Sequence, residues 1–300
     1  MTAPAAPQWL ADSLAVAPTS HDLEAGDLRI RYYDWGPIDA PGVVLIHGGL
    51  CHARWWDHIA PLLTGHRVLA VDLSGHGDSG RRESYDAHRW AQEVLAVVKG
   101  SGLSRPVLVG HSMGGQVAAA AAAAAPTEIG GVITIDTRFN DQPYTHRNKP
   151  SKAFKSLDQG IAEFVPVHAA LGGAVDPLLI RHIAESSLTT NGDSWRWKRA
   201  DKYAIAHVPL RSLLPYVHAP LAIIRTEHGL VTRDMSDEMR RLVPAPTAEL
   251  ELPGAGHNPM LEQPLALVTA LRTLLSAWLP TVTVQATPPL NDESSSRVQH

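Results

Sequence analysis

Val107-Leu108-Val109-Gly110-His111-Ser112-Met113-Gly114-Gly115, with an alanine run at 118–125 closed by Pro126, is the stretch on which the reading of this chain turns. Residues 110–114 fit G-x-S-x-G, with an aliphatic run before them and a strong helix former after them. A strand that reverses sharply into a helix forces the residue at the bend into a strained backbone, and side chains two positions to either side would collide there. The serine hydroxyl is thereby pushed out of the sheet. Its backbone lies at a helix N-terminus, where free N–H groups and the positive dipole end favour an oxyanion. Ser112 is therefore the candidate nucleophile and the Met113 N–H a candidate oxyanion donor.

Working outward, short β-branched or aliphatic runs at 29–35, 43–47, 68–71, 107–110 and 132–135 read as strands. Helical patterns at 53–63, 84–98 and 113–125 separate them, the signature of a mainly parallel sheet covered on both faces. Residues 137–216 contain no convincing strand and several helical stretches, among them 161–168 and 177–186, and read as an insertion. Strand signals return at 221–225 and 248–252, each followed by a helical pattern, the last at 264–278. The expected organisation is an arm at 1–27, a core from 28–136 and 217–280, a helical cap at 137–216 and a flexible tail at 281–300. The tail is rich in Thr, Ser and Pro and offers no apolar face to bury.

Two further glycine-rich turns follow strands. His47-Gly48-Gly49-Leu50 can aim a backbone N–H at the space facing Ser112, with Gly49 the expected donor and Leu50 the fallback. Gly254-Ala255-Gly256-His257 follows the last strand, at the sheet edge where the reactive groups of open α/β sheets collect. A serine hydroxyl needs a group that takes its proton during attack and returns it to the leaving group, and imidazole titrates in the useful range. His257 is the candidate base among 16 histidines, while His111 can line the site without acting as base.

With these three motifs, and with Asp72-Leu73-Ser74-Gly75-His76-Gly77-Asp78-Ser79 between them, the sequence resembles the α/β-hydrolase superfamily over residues 28–280. The resemblance implies an eight-stranded, mainly parallel sheet flanked by helices, a helical cap after strand 6, a Ser–acid–His triad, a covalent acyl intermediate and no cofactor or metal. In most members the acid is an aspartate on the loop after the seventh strand, but the place aligned with it here is Gly229. Two carboxylates keep the required order. Asp136 closes the sixth strand and resembles a minority arrangement; Glu227 keeps the usual loop with a longer side chain. Serine at the elbow sets aside the dehalogenase and epoxide hydrolase chemistries that need a carboxylate nucleophile.

The implied reaction is hydrolysis of a small-molecule carboxylic ester or lactone. A thioesterase, a C–C bond hydrolase or a cofactor-free lyase on the same residues is the alternative, and a non-catalytic receptor the alternative of another class. Trp55, Trp195 and Trp197 read first as packing residues, Trp55 in the first helix and the other two as anchors of the cap, and are the candidate pocket residues. The net charge of −4, with no basic block, argues against a nucleic-acid partner. The longest apolar stretch, at 118–125, is far short of the roughly 20 residues that cross a bilayer. No secretion signal is read near the first residue, and one cysteine excludes an internal disulfide and a thiolate zinc site, so a cytoplasmic location is expected.

Overall fold

The structure, a computed structural model, describes residues 6–138, 152–166, 175–200, 204–206 and 208–279. Eight strands form one sheet: β1 (Thr19–Ala25), β2 (Leu28–Trp35), β3 (Gly42–Ile46), β4 (Arg67–Val71), β5 (Val107–His111), β6 (Gly131–Ile135), β7 (Leu221–Thr226) and β8 (Thr247–Leu252). Their spatial order is β1-β2-β4-β3-β5-β6-β7-β8, with β2 antiparallel to β1 and β4 and every other pair parallel. From β3 to β6 every strand residue is buried, as expected of a sheet covered on both faces.

Alternation along the strands divides the core. Val44, Ile46, Leu69, Val71 and Leu108 face the helices Ala87–Ser101 and Met113–Ala124. Val43, Leu45, Val68, Ala70 and Val109 face Trp55, Trp56 and the helix Pro264–Trp278. Met113–Ala124 is buried continuously from Met113 to Ala122, because alanine side chains let its axis approach the sheet closely.

Several sequence expectations need correction. The arm at 1–27 contributes a helix, Gln8–Ala15, and the edge strand β1, which joins β2 through a two-residue turn with Gly26 at φ +70°. β1 is largely polar and half-exposed, so it carries no hydrophobic run to announce it. The helix expected at 53–63 is two 3₁₀ turns, Ala53–Trp56 and Ala60–Leu62, the second carrying Pro61, which cannot donate to a continuous helix. Residues Ser84–Asp86 pair with Ala204–Ala206, and the helix begins at Ala87 with Asp86 as its cap.

The segment between β6 and β7 is also not purely helical. It contains the helices Leu157–Ala162 and Pro177–Ser186 and a hairpin of Leu188–Asn191 with Ser194–Trp197. The hairpin loop is Gly192-Asp193, with Gly192 at φ +67°, so this Gly-Asp pair is the turn signal in the sequence. The helix expected at 161–168 is placed instead at Leu157–Ala162, and 167–168 and the tail at 281–300 lie outside the described residues. No helix among those described is long and apolar enough to cross a membrane.

On the antiparallel side, Arg67 donates from Nη2 to Asp34 at 2.7 Å and from Nη1 to the Ser101 carbonyl at 2.8 Å, and both ionic side chains are nearly enclosed. Removing one partner strands the other charge. Arg67→Ala is expected to lower unfolding free energy by about 3–5 kcal/mol in urea titrations. A loss below about 1 kcal/mol, the range of an exposed pair, would contradict this burial.

Candidate functional site

Ser112 sits between β5 and its helix at φ 51°, ψ −117°, a backbone conformation that L-residues rarely adopt. Its N–H donates to the Ile135 carbonyl at 2.9 Å. The glycines around it are sterically required: a Cβ on Gly110 would lie 2.2 Å from the Gly114 carbonyl oxygen, and one on Gly114 would lie 2.3 Å from that of Ile46. The elbow is thus wedged against β3, at the C-terminal edge of the sheet.

The turn after β3 packs on this elbow. A Cβ on Gly48 would come within 3.3 Å of Ser112 Cβ, and one on Gly49 within 3.9 Å of Met113 Sδ. The turn closes by Cys51 N–H donating to the Gly48 carbonyl at 3.2 Å, with Leu50 at φ +64°. Below it, His47 donates from Nδ1 to the Gly48 carbonyl at 2.8 Å and accepts at Nε2 from Leu73 N–H at 3.1 Å. Met113 opens its helix, so its N–H has no acceptor within the helix. Gly49 and Met113 therefore lie side by side at the nucleophile elbow.

His257 lies on the loop after β8, and its Nδ1 is 2.7 Å from Asp136 Oδ2. Because a carboxylate accepts, Nδ1 carries the hydrogen and Nε2 keeps its lone pair. Asp136, fully buried just past β6, also accepts from Leu230 N–H at 2.8 Å and Val231 N–H at 3.0 Å. The loop after β7 therefore supplies backbone donors where an aspartate is usual. Its Gly229 has no room for a side chain, since a Cβ there would lie 1.9 Å from Thr226 Oγ1 and 2.5 Å from Asp136 Oδ1. Asp136 itself adopts φ +42°, a conformation that aspartate tolerates better than most residues. Glu227 is exposed, and its Oε2 accepts from Gly254 N–H at 2.7 Å, bracing the base of the His257 loop.

His111 ties the two halves together. Its Nε2 donates to the His257 carbonyl at 2.7 Å and its ring stands 4.8 Å from the His257 ring. Burial lowers the His111 pKa to about 3, so the ring acts as a neutral strut beside Ser112.

The tryptophans separate. Trp55 meets Phe164 edge-on at 6.1 Å, and Trp197 lies 5.8 Å from the same ring. Trp55 and Trp197 line, together with Leu50, a cavity of about 140 Å³. Trp195 instead exchanges backbone hydrogen bonds with Phe154. Among the described residues no group of three or more His, Cys, Asp or Glu is placed to hold a metal ion.

Comparison with known proteins gives a consistent picture. A family model described as "Alpha/beta hydrolase family" matches residues 43–271. Esterase Rv0045c of Mycobacterium tuberculosis is 27% identical over 270 residues, covering 86% of this chain and 89% of the relative. The sn-1-specific diacylglycerol lipase ABHD11 of Mus musculus is 25% identical over 288 residues, covering 91% and 92%. Among solved structures, E-2-(Acetamidomethylene)succinate Hydrolase superposes with TM-score 0.73 at 22% identity, covering 86% of this chain and 99% of the other. At that identity the likeness speaks for the fold alone.

Gly229→Ala is expected to push Asp136 off His257 and lower kcat about 100-fold or more while the protein stays folded by circular dichroism. Turnover within twofold of the parent would show that this loop has slack.

A second expectation concerns acid. Burial drives the His47 pKa well below its usual 6.5 and lowers His52 and His111 to about 3 and His58 to about 4. These rings are neutral when folded and protonated when unfolded below about pH 6.5, so their contribution is complete above that pH and is lost as pH falls. Asp72, which burial raises to about 7, opposes them, because folding stabilises its protonated form. Glu93, whose carboxyl burial also raises, opposes them in the same way, so four groups outweigh two, and stability should fall on acidification by about 1.4 kcal/mol per pH unit for each net proton. A urea midpoint no lower at pH 5 than at pH 7.5 would contradict the buried, neutral rings.

Proposed function

Since the chain belongs to the alpha/beta hydrolase family, we propose that it is a serine hydrolase cleaving a carboxylic ester or lactone through an acyl-enzyme. The observation that carries this reading is the 2.7 Å contact of His257 Nδ1 with Asp136, on a loop tied to the strained Ser112 elbow by the hydrogen bond from His111 to the His257 carbonyl. Support for the hydrolase class comes from the esterase and lipase relatives, which align along most of their length.

In this reading His257 Nε2 takes the Ser112 proton as Oγ attacks the ester carbonyl. The C–O π pair moves onto oxygen, and the resulting oxyanion is held by the Gly49 and Met113 N–H groups. Asp136 keeps Nδ1 protonated and stabilises the imidazolium without taking its proton. Collapse of the tetrahedral species expels the alkoxide leaving group, which receives the proton from His257. Water then repeats the sequence on the acyl-Ser112 ester, releasing the acid and restoring the hydroxyl. In a lactone the alcohol and acid are two ends of one product.

A fluorophosphonate probe should label the parent and not Ser112→Ala. Asp136→Asn is expected to lower kcat on a short-chain p-nitrophenyl ester by about 10⁴-fold, whereas Glu227→Gln should stay within a few fold of the parent. An unlabelled, folded parent would sink the hydrolase reading, and the reverse ranking of the two acid variants would transfer the acid role to Glu227.

A further inference from the structure

The cavity lined by Leu50, Trp55 and Trp197 has apolar walls and one charge without a counterion. Leu50, Trp55, Phe164 and Trp197 supply the apolar wall. Three charged residues also line it, Glu163, Lys198 and Arg199. Glu163 is paired with Lys152, at 2.6 Å from Oε1. Lys198 Nζ donates to Asp78 Oδ2 at 2.8 Å, and although burial works to raise the Asp78 carboxyl, that ammonium holds it below its ordinary range. The Arg199 guanidinium has no carboxylate, carbonyl or aromatic partner among the described residues, although it is half-buried. The paired charges cancel, so the cavity carries the single positive charge of Arg199.

The backbone holds this arginine in place. Residue 199 bridges to His76, its N–H donates to the Trp197 carbonyl at 2.8 Å, and the next N–H, of Ala200, donates to the Gly75 carbonyl at 2.8 Å. His52, on the same wall, is kept neutral by burial; its Nε2 donates to Ser187 Oγ, which donates to the Ile183 carbonyl. That Ser–His pair is spent on packing and offers no base. A guanidinium stays protonated at any working pH, and its planar fork matches a carboxylate in two hydrogen bonds. Leaving it half-desolvated and unpaired costs free energy that a bound anion would recover.

We propose that this cavity is a subsite for a carboxylate on the ester substrate, with Arg199 as the residue that selects it. The inference rests on the hydrolase reading and names the substrate class: a short ester with a free acid at its far end. A cavity near 150 Å³ holds a benzene-sized group, so about 140 Å³ has room for about six heavy atoms, a carboxylate and about three carbons. In this proposal the arm runs from the cavity past Leu50 toward the bond to be cleaved. Leu50 is two residues from Gly48, where an added Cβ would lie 3.3 Å from Ser112 Cβ, and two residues span about 7 Å at most.

Two matched pairs test it and separate the two sides of the bond. For the acyl side, mono-p-nitrophenyl adipate is compared with p-nitrophenyl hexanoate; for the alcohol side, 6-acetoxyhexanoate with hexyl acetate. In one pair the charged ester should have kcat/KM about tenfold or more above its neutral partner, the yield of a charge-assisted bidentate contact. Arg199→Met should remove that preference, and Arg199→Lys, which keeps the charge, should keep part of it. No preference in either pair, or one that survives Arg199→Met, overturns the proposal. Calorimetric titration of the parent and Arg199→Met with hexanoate keeps the result separate from the hydrolase reading. If no ester is turned over, tighter hexanoate binding by the parent still supports the subsite, and equal binding overturns it.

Discussion

The Asp136 carboxylate is the point on which the site depends. It sits past the end of β6 and accepts from Leu230 and Val231 on the loop after β7 and from His257 on the loop after β8. Three loops that share no local sequence constraint are thereby fixed to one buried anion. A buried carboxylate without donors is costly, and three donors satisfy it, so separating any of these loops would expose the whole cost. The same contacts orient the His257 ring. The positive φ of Asp136 and the missing side chain of Gly229 are the local concessions that let this anion occupy the space.

Neutral histidines carry the rest of the frame. His47 spans the glycine turn and Leu73, His111 spans the elbow and the His257 carbonyl, and His58 reaches the Met260 carbonyl at 2.6 Å. An imidazole kept uncharged by burial presents one donor and one acceptor on a rigid ring, which suits it to bridging backbone groups of two loops. Imidazole chemistry is thus used in two ways: for proton transfer in the proposed mechanism, and repeatedly as scaffolding that acid would dismantle.

The segment between β6 and β7 attaches to residues 52–78 by polar contacts on one side and aromatic contacts on the other. His52 meets Ser187, Asp57 meets His182 at 2.7 Å, Asp78 meets Lys198, and Trp55 meets Phe164. The turn carrying Gly49 leads into this stretch, so the wall of the cavity and the oxyanion side of the elbow are built on one continuous piece of backbone. In the proposed function, that continuity lets a change in the inserted segment alter which substrate reaches Ser112 without touching the core sheet.

What the sequence determined by itself is whatever depends on neighbours a few residues apart. The elbow was legible because the collision that demands Gly110 and Gly114 occurs within one turn of chain, and the parallel strands because burial on both faces writes a continuous apolar run. β1 and the hairpin at 188–197 were missed for the converse reason: their short, partly polar and partly exposed strands carry no such run, although Gly26 and Gly192-Asp193 marked their turns. Only the tertiary structure brings Asp136, and not Glu227, to the His257 ring, because partners 121 residues apart meet through strand order, and the space available at Gly229 is set by Thr226 at the end of β7 and Asp136 just past β6. It also isolated Arg199: whether a charge is paired depends on which distant carboxylates fold against it, and no spacing along the chain records that.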